Sequence, residues 1–458
     1  MSALQLPPVR TAYFLGIGGI GMSALARHAL ALGWKVGGYD KTPTPLTDAL
    51  VAEGVWFTTD DSVESLPTPF NTPGEVLVVW TPAIPADHPQ RIHFAQGGFA
   101  FYKRAEVLAA WANDGLCVAV GGTHGKTTTS SLLAWILFQA GTGARAFLGG
   151  IATNFGSNRV AGTGPITVVE ADEFDRSFLH LRPRVALITS TDADHLDIYG
   201  TAEGARMAFE SFAALTLKNG GTLLEANGLN LGGIAYGVDA PDAPYSASNL
   251  RTEDGYQVFD LRLEAVEILG VRAGLPGHHN IENAVGAAAA AHLLGVGAED
   301  ICAAIASFRG VARRFDVRVR TDATVYIDDY AHHPTEIRAA LRAARQLHPN
   351  RPLTALFQPH LFTRTRDFLP EFAEALQEAD TVVLLPIYPA RELSLPGITS
   401  EALAAAFPEE KRPQVLSPQE AVEWVLRTHP SLLMTLGAGD IDRLVPVFEA
   451  HFTQHSQR

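Results

Sequence analysis

A glycine-rich segment early in the chain carries the residue types that hold a triphosphate. Residues 118–121 predict a buried strand, the turn Gly-Thr-His-Gly-Lys-Thr follows at 122–127, and a helical pattern then runs to residue 140. In such a turn, backbone N–H groups and the helix N-terminus face phosphate oxygens, Lys126 neutralises charge, and the Thr127 hydroxyl can ligate Mg²⁺. Val120 stands where the usual pattern has its first glycine, so the turn is a variant. The predicted ATP-binding residues are Gly122, Thr123, His124, Gly125, Lys126, Thr127 and Thr128.

A second glycine-rich turn lies near the start of the chain. Gly-Ile-Gly-Gly-Ile-Gly at 16–21 follows an apolar run at 11–15, and Asp40 stands at the end of the next predicted strand. Read alone, this pattern is the fingerprint of NAD-binding folds, in which the acid contacts a ribose hydroxyl. The same geometry serves any ligand with a diphosphate, including a UDP-sugar, and it also occurs as a tight turn that binds nothing. The motif leaves these alternatives open.

Acidic and histidine side chains follow two later buried strands. Glu170 is the first acid after the apolar run 166–169, and His195 lies among acids after the run 185–189. Ligands bind at the carboxyl edge of parallel sheets, and clustered carboxylates repel one another unless a cation is present. We therefore predict Mg²⁺ beside the phosphate loop, with Thr127, Glu170 and His195 as its ligands. The alternatives are a solvated acidic loop and a histidine that only caps or packs.

Polar side chains also stand at later helix starts. Asn280 and Asn283 precede the alanine-rich pattern 284–294, where one can serve as N-cap and both can contact a nucleotide. Further along, the predicted strands 324–327 and 353–357 each run into histidines and then a helix. Cationic groups at helix starts favour anionic ligands such as carboxylates, although arginines on helices are often only solvated. The side chains at these two strand ends include Asp329, Tyr330, His332, His360 and Arg364.

The predicted elements alternate strand and helix along the chain. A length of 458 residues corresponds to roughly three domains at about 150 residues each. The alternation indicates βαβ units and parallel sheets, with a more β-rich stretch at 221–275. We predict three α/β domains in series, with boundaries at 1–112, 113–312 and 313–458.

Composition excludes several classes of protein. With 47% hydrophobic and 18% charged residues, the chain is ordinary for a globular protein, and no apolar run reaches membrane-spanning length. The formal charge of −14 argues against a general affinity for nucleic acid or anionic membranes, so we predict neither as a partner. Cys117 and Cys302 lie in apolar runs without metal-ligand spacing, which predicts reduced core residues. The first residues lack the apolar core of a signal peptide, which predicts a cytoplasmic protein.

In combination and in order, these motifs resemble those of the Mur ligases over nearly the whole chain. The segments that carry the resemblance are Gly-Ile-Gly-Gly-Ile-Gly-Met from 16, Gly-Thr-His-Gly-Lys-Thr-Thr-Thr from 122, Glu-Ala-Asp-Glu from 170, Asp-His from 194, Gly-His-His-Asn-x-x-Asn from 277, Arg-Arg-Phe-Asp from 313, Asp-Asp-Tyr-x-His-His-Pro-Thr from 328 and Phe-Gln-Pro-His from 357. The resemblance implies an N-terminal Rossmann-like domain for a UDP-sugar, a central P-loop ATPase-type domain with a mostly parallel sheet, and a C-terminal Rossmann-like domain for an amino acid.

The resemblance also implies a reaction. ATP would drive amide formation between L-alanine and the lactyl carboxylate of UDP-N-acetylmuramate through an acyl phosphate, with Mg²⁺ as the companion ion. The family's ligase that attaches a preformed tripeptide is the nearest alternative, and its opening glycine loop differs from that at 16–22. If the protein were an NAD-dependent dehydrogenase, the turn at 122–127 would have no function. If it were a non-catalytic binding protein, Lys126 would have no function. We expect a monomer or a weak homo-oligomer.

Site residues carry over from the family position by position. The implied catalytic set is Lys126, Asn280, Asn283, Arg314, Asp329, His332 and His360. Within it, Arg314 and Asp329 match residues that bring the C-terminal domain to the ATP. The UDP-sugar would contact Gly16, Gly18, Gly19, Gly21, Met22, Asp40, Thr81 and Ala83. The acyl group and the incoming amino acid would lie against Tyr330, His332, His360 and Arg364. Leu361 departs from the family, where arginine is common, and Thr81-Pro82 replaces a common Ser-Ser pair.

Overall fold

The computed structural model describes residues 4–192, 199, 201–253, 256–390 and 392–455, and within them the strands form three sheets. The first sheet contains β1 (Thr11–Leu15), β2 (Lys35–Tyr39), β3 (Trp56–Thr58), β4 (Val76–Trp80) and β5 (Ala100–Lys103). All its pairings are parallel, in the order β3-β2-β1-β4-β5. Its helices are α1 (Ile20–Ala31), α2 (Pro45–Ala52), α3 (Pro89–Gln96) and α4 (Arg104–Ala112). The order reverses between β1 and β4, which is where ligands bind in doubly wound sheets.

The second sheet is the largest and carries the phosphate loop. Its strands are β6 (Leu116–Gly121), β7 (Arg145–Ala152), β8 (Ser157–Val160), β9 (Ile166–Ala171), β10 (Val185–Ile188), β11 (Thr222–Ala226), β12 (Ile234–Val238), β13 (Tyr245–Glu253), β14 (Tyr256–Leu263) and β15 (Val266–Arg272). Their order is β15-β14-β13-β12-β11-β10-β6-β9-β7-β8, parallel from β13 through β7 and antiparallel between β7 and β8. Its helices are α5 (Lys126–Gln139), α6 (Ala202–Lys218), α7 (His278–Leu293) and α8 (Ala298–Ser307).

The third sheet is parallel except at one edge. Its strands are β16 (Asp316–Arg320), β17 (Val325–Asp329), β18 (Leu353–Phe357), β19 (Thr381–Leu384), β20 (Gln414–Val415) and β21 (Leu432–Leu436). They lie in the order β16-β17-β21-β18-β19-β20, with β16 antiparallel to β17. Its helices are α9 (Pro334–Leu347), α10 (Phe362–Asp367), α11 (Leu369–Leu376), α12 (Ser400–Ala405), α13 (Pro418–Thr428) and α14 (Val445–His455). Short 3-10 helices occupy Thr68–Phe70, Phe174–His180, Glu409–Lys411 and Asp440–Leu444.

Two helices differ from the sequence-based prediction. The helix expected from residue 284 begins at His278, so Asn280 and Asn283 both lie inside it. The alternation of elements also predicts a helix at 367–378. The structure places α11 over most of that range, and a break at Phe368 separates it from α10, which was not predicted. Pro370 explains the break, because proline has no N–H for the i−4 hydrogen bond and its ring clashes with the preceding turn.

The described residues fall into two compact units. One lies within 1–250, 259–272 and 282–309 and contains the first sheet and the phosphate loop, and the other lies within 251–258, 273–281 and 310–458. The boundaries proposed at 112 and 312 stay predictions. Within the described part of the chain, every helix is too short or too polar to span a lipid bilayer. Cys117 and Cys302 are free thiols, the first buried and the second partly exposed.

A histidine is buried where α1 packs on the second sheet. The His28 ring is only 4% exposed and meets Trp111 and Phe147 edge-on, with centroids 4.8 and 5.1 Å away. Burial, together with the charges of Arg159 and Arg145, lowers the pKa of His28 to about 4. The neutral ring therefore packs as an aromatic residue at neutral pH.

We predict that His28 makes the protein acid-sensitive. His28 binds a proton near pH 6.5 in the unfolded chain but only near pH 4 in the folded chain. The free energy of unfolding therefore has its full value above pH 6.5 and decreases as the pH falls from 6.5 towards 4. The size of the loss is roughly 1–3 kcal/mol. His28→Phe should flatten the fall in the thermal unfolding midpoint between pH 7 and pH 5. His278→Phe, at an exposed position, should show the same decrease in midpoint as the wild type. If His28→Phe also shows the wild-type decrease, His28 is not the source of the acid sensitivity.

Candidate active site

The phosphate loop joins the end of β6 to the start of α5. Gly122 has φ of 133° and Gly125, the N-cap of α5, has φ of 82°. Both values lie in the left-handed region that favours glycine. A Cβ atom at 122 would also overlap the Thr189 hydroxyl and approach the Ser190 nitrogen at 2.8 Å. Backbone strain and lack of space therefore both require glycine here.

The strand end after β10 supports the other side of the loop. The Thr123 hydroxyl donates to the carbonyl of Asp192 at 2.8 Å. The backbone N–H of His124 donates to Ser190 Oγ at 2.8 Å, and the Thr189 hydroxyl donates to the His124 carbonyl. These bonds fix the backbone between Gly122 and Gly125. Thr128, one turn into α5, is 8% exposed.

Asn283 of α7 lies against the N-cap of α5. Its Oδ1 is so close to Gly125 that a Cβ atom at 125 would overlap it. The side chain of Asn283 is thus beside the predicted phosphate position, as the sequence analysis expected. Asn280 belongs to the other compact unit, where its amide donates to the Pro276 carbonyl at 2.7 Å and secures the start of α7.

Lys126 is held in place by one carboxylate and two loop carbonyls. Its Nζ donates to Glu173 Oε1 and Oε2 at 2.9 and 2.8 Å, to the Gly122 carbonyl at 2.6 Å and to the Thr123 carbonyl at 3.4 Å. Burial by itself would lower the pKa of Lys126, but the charges of Glu173 and Glu170 raise it above its ordinary value. The ammonium group is therefore protonated in the working range of pH and ready to bind anionic oxygens.

Thr127 and Glu170 form the predicted metal site. The Thr127 hydroxyl donates to Glu170 Oε1 and Oε2 at 3.1 and 3.0 Å, and the Gly149 N–H donates to Oε2 at 3.0 Å. A Cβ atom at 149 would overlap the Glu170 carboxylate. A hydroxyl and a carboxylate beside a phosphate position are the oxygen donors that Mg²⁺ prefers, so the two residues fit the ion. The third predicted ligand, His195, lies outside the described residues.

The first glycine loop lies at the carboxyl edge of the first sheet, beside the end of β4. A Cβ atom at Gly16 would be 2.8 Å from Thr81 Cγ2, so the two predicted contacts are neighbours. Asp40 Oδ2 accepts the Gly18 N–H at 2.8 Å, which means that this carboxylate shapes the loop itself. Gly19 is the N-cap of α1. Of the remaining predicted contacts, the Met22 side chain is buried in the core and Ala83 is exposed.

Arg104 joins the first glycine loop to the acidic segment after β9. A Cβ atom at Gly21 would be 2.7 Å from Arg104 Nη1, and Arg104 Nη2 contacts Asp172 Oδ2 at 3.0 Å. Sequence reasoning missed Arg104 and also Glu173. The motif Glu-Ala-Asp-Glu from 170 contained a signal for Glu173, because it is the third acid within four residues and such a cluster needs a cation nearby. Arg104 carried no comparable signal in the sequence.

In the other compact unit, Asp329 organises the turn at Arg313 and Arg314. Asp329 Oδ2 accepts the Phe315 N–H and Oδ1 accepts the Ala331 N–H, both at 2.7 Å. Arg313 and Phe315 have φ of 62° and 47°, so the carboxylate stabilises a strained turn. Burial raises the pKa of Asp329 to about 7, against the opposing charge of Arg314 and the two backbone hydrogen bonds.

Aromatic and cationic groups cluster beyond β17 and β18. The guanidinium of Arg314 lies 5.0 Å from the Tyr330 ring centre, and the rings of His332 and His360 are 6.1 Å apart. Arg364 Nη1 is 3.4 Å from His360 Nδ1. The predicted amino-acid pocket residues are thus neighbours within this unit. Leu361, where the family often has arginine, has φ of 70° and precedes α10.

We predict that Gly125→Ala abolishes nucleotide binding. The added methyl group would meet Asn283 and would also disfavour the left-handed backbone. Gly141→Ala is a matched control, because Gly141 follows the same helix with φ of 67° and nothing lies within 4 Å of its Cβ position. Both variants should lose about 1 kcal/mol of stability from backbone strain. Only Gly125→Ala should lose ADP affinity in calorimetric titration, and equal affinities would place the phosphates elsewhere.

We predict that Asp329→Ala strongly destabilises its unit. Two buried backbone N–H groups would lose their acceptor, at a cost of about 1–3 kcal/mol each. The thermal unfolding midpoint should fall by several degrees. Asp322→Ala, at an exposed position before β17, should leave the midpoint unchanged. If the two variants unfold alike, Asp329 does not support the turn.

Comparisons with known proteins give consistent matches along the chain. Family models described as Mur ligase family, catalytic domain, as Mur ligase middle domain, and as Mur ligase, glutamate ligase domain match residues 11–115, 120–291 and 313–439. A UDP-N-acetylmuramate–L-alanine ligase of Flavobacterium johnsoniae is 45% identical over 443 residues, which covers 97% of this chain and 98% of the relative. These matches extend over each predicted domain.

Solved structures agree with the predicted fold class. A UDP-N-acetylmuramate-alanine ligase from Thermotoga maritima has a TM-score of 0.81 at 28% identity, covering 97% of this chain and 99% of that one. A murein peptide ligase from Psychrobacter arcticus has a TM-score of 0.69 at 23% identity, covering 97% and 98%, and shows the fold alone. The prediction of three α/β domains with mostly parallel sheets is confirmed.

Proposed function

This chain belongs to the Mur ligase family, and from that premise we propose that it joins L-alanine to UDP-N-acetylmuramate with ATP as the energy source. The observation that carries the proposal is the phosphate loop, in which Lys126 and Thr127 begin a helix behind two glycines in left-handed conformations. The names of the relatives similar to the chain over almost its full length support the choice of substrates. The product would be a precursor of peptidoglycan.

The chemistry follows from the low reactivity of a carboxylate. An oxygen of the lactyl carboxylate attacks the γ-phosphorus of ATP, so that a new P–O bond forms, the bond to the β-phosphate oxygen breaks, and ADP leaves. The resulting acyl phosphate has a good leaving group. The neutral amine of L-alanine then attacks the acyl carbon, the C–O bond to phosphate breaks, and a proton is lost from nitrogen. Lys126 offsets the charge that accumulates during the phosphoryl transfer.

The cation would be held beside the phosphate loop. Thr127 and Glu170 supply a hydroxyl and a carboxylate, and His195 stays a predicted third ligand. When bound, Mg²⁺ would neutralise phosphate charge during transfer. Glu173 has a different role, because it keeps the Lys126 ammonium group oriented toward the loop.

The other two substrates are assigned to separate groups of residues. The backbone of the first glycine loop and the N-terminus of α1 would receive the diphosphate of the UDP-sugar, because both present N–H groups to an anion. Arg104 at the same loop would add a positive charge. The cluster of Arg314, Tyr330, His332, His360 and Arg364 would receive the acyl group and L-alanine. We place the reaction in the cytoplasm, with a monomer or weak homo-oligomer as the active form.

Two alternatives differ in what they leave unexplained. The tripeptide-attaching ligase of the same family would use the same phosphate loop with a larger incoming amine. An NAD-dependent dehydrogenase fits the strand order of the first sheet. It leaves Lys126, Thr127 and Glu170 without a function, so the ligase accounts for more of the structure.

The test is phosphate release from ATP with UDP-N-acetylmuramate and a panel of amino acids and peptides. We expect turnover with L-alanine and far less with a preformed tripeptide. Lys126→Met should lower kcat by about 100-fold or more, because a group that stabilises transferred charge is lost. Lys35→Met, at an exposed position on β2, is the matched control and should retain activity. Turnover with the tripeptide alone, or an active Lys126→Met variant, would contradict the proposal.

A further inference from the structure

Two arginines and a neutral histidine lie close together where α1 packs on the hairpin of β7 and β8. Phe147 and Arg159 are partners across this antiparallel pair, and Arg145 lies two residues before Phe147. Side chains two residues apart on a strand share a face, so Arg145, Phe147 and Arg159 lie on one side of the hairpin. The His28 ring contacts Phe147, which places α1 on that same side. His28, Arg145 and Arg159 all lie outside the proposed active site.

Several donors in this cluster have no acceptor within the described residues. Arg159 Nε and His28 Nδ1 are both buried and make no hydrogen bond there. Arg145 Nε donates to Thr167 Oγ1 at 2.8 Å, and no bond is made within the described residues by its two terminal nitrogens. Because a buried donor without a partner costs free energy, such groups mark a position for an acceptor.

The nearest carboxylate is already committed to another cation. Glu53 accepts Arg27 Nε with both oxygens at 2.9 Å and Arg27 Nη2 at 2.7 Å. Arg27 Nη1 also donates to Asn158 Oδ1 at 2.6 Å. The hydrogen bonds of Glu53 are thus made to Arg27, and its charge offsets that of Arg159 only in part, since the pKa of Arg159 is still lowered.

Mutual repulsion within the cluster is visible in the acid–base behaviour of its members. Burial and the neighbouring Arg145 lower the pKa of Arg159. Burial and the charges of Arg159 and Arg145 likewise lower the pKa of His28. A bound anion would remove this repulsion, because it places an opposite charge between the guanidinium groups.

We propose that this cluster, formed by His28, Arg145 and Arg159, is a binding site for a small divalent oxyanion such as inorganic phosphate. Arg159 would donate through Nε, His28 through Nδ1 and Arg145 through its terminal nitrogens. Planar guanidinium groups bind phosphate and carboxylate oxygens with paired hydrogen bonds. A tetrahedral dianion has acceptor oxygens in several directions, so it can accept from both arginines and from His28 at once, which a carboxylate or chloride cannot do as completely. Arg159 is half-buried as a residue, so part of its side chain is open to solvent although Nε is not. The bound ion would fasten α1 to the hairpin.

The first test measures thermal unfolding in phosphate and in chloride at equal ionic strength. Because phosphate also binds at the phosphate loop, all measurements are made in a Lys126→Met background. Phosphate should raise the midpoint by roughly 3 °C or more, with half-saturation at about 1 mM or below. Arg159→Met and His28→Phe should each remove at least half of this increment. Lys35→Met should keep it.

Several outcomes would overturn the site. An unchanged increment in both Arg159→Met and His28→Phe would mean that phosphate binds elsewhere. If acetate raises the unfolding midpoint as much as phosphate does, the site binds carboxylates in general and is not specific for a divalent oxyanion. Half-saturation far above the millimolar range would indicate an adventitious ion only.

A second test locates the ion directly. Crystals of the full chain grown with selenate, a tetrahedral oxyanion with an anomalous signal, should show a peak within hydrogen-bond distance of Arg159. The peak should be absent from Arg159→Met crystals grown in the same way. Wild-type crystals with no peak at Arg159 would refute the proposal, whatever the thermal data show.

Discussion

The ion pair between Lys126 and Glu173 is the interaction on which the phosphate loop depends. A buried ammonium group is stable only when it is paired and hydrogen-bonded, and here one carboxylate and two loop carbonyls meet that requirement. Lys126 begins α5, and Glu173 follows β9, which pairs directly with β6. The pair therefore links two neighbouring strand ends and holds the loop open between them. A phosphate group at the predicted position would compete with Glu173 for the same cation, so the proposed nucleotide binding would require an exchange of partners.

Carboxylates that the sequence suggested as ligand contacts shape loops in the folded chain. Asp40 binds the Gly18 N–H of the first glycine loop. Asp329 binds two backbone N–H groups and supports the strained turn before β16. In both cases the carboxylate sets the course of the backbone. A negative charge beside the first loop also disfavours ligands with an additional phosphate at that position.

The sequence predicted where strands and helices lie better than it predicted which side chains contact one another. Strands β1 and β18 have the predicted bounds, because apolar periodicity and terminal proline or glycine are local signals. The family and the fold class are confirmed. The contacts of Glu173 and Arg104 span 47 and 68 residues, and they depend on strand order, which no local pattern encodes. Helix α10 was missed because its six residues are too few to show a clear hydrophobic period.

Gly149 shows how the lack of a side chain at one position can set the place of a carboxylate on the neighbouring strand. Its backbone has no left-handed φ, so alanine would suit the strand, yet a methyl group there would displace Glu170 from Thr127. A mutation at 149 would thus leave folding largely intact while disturbing the predicted cation site. Selection for solubility or thermal resistance would not detect such a change. The need for glycine at 149 comes from the space that the Glu170 carboxylate occupies and not from the backbone conformation.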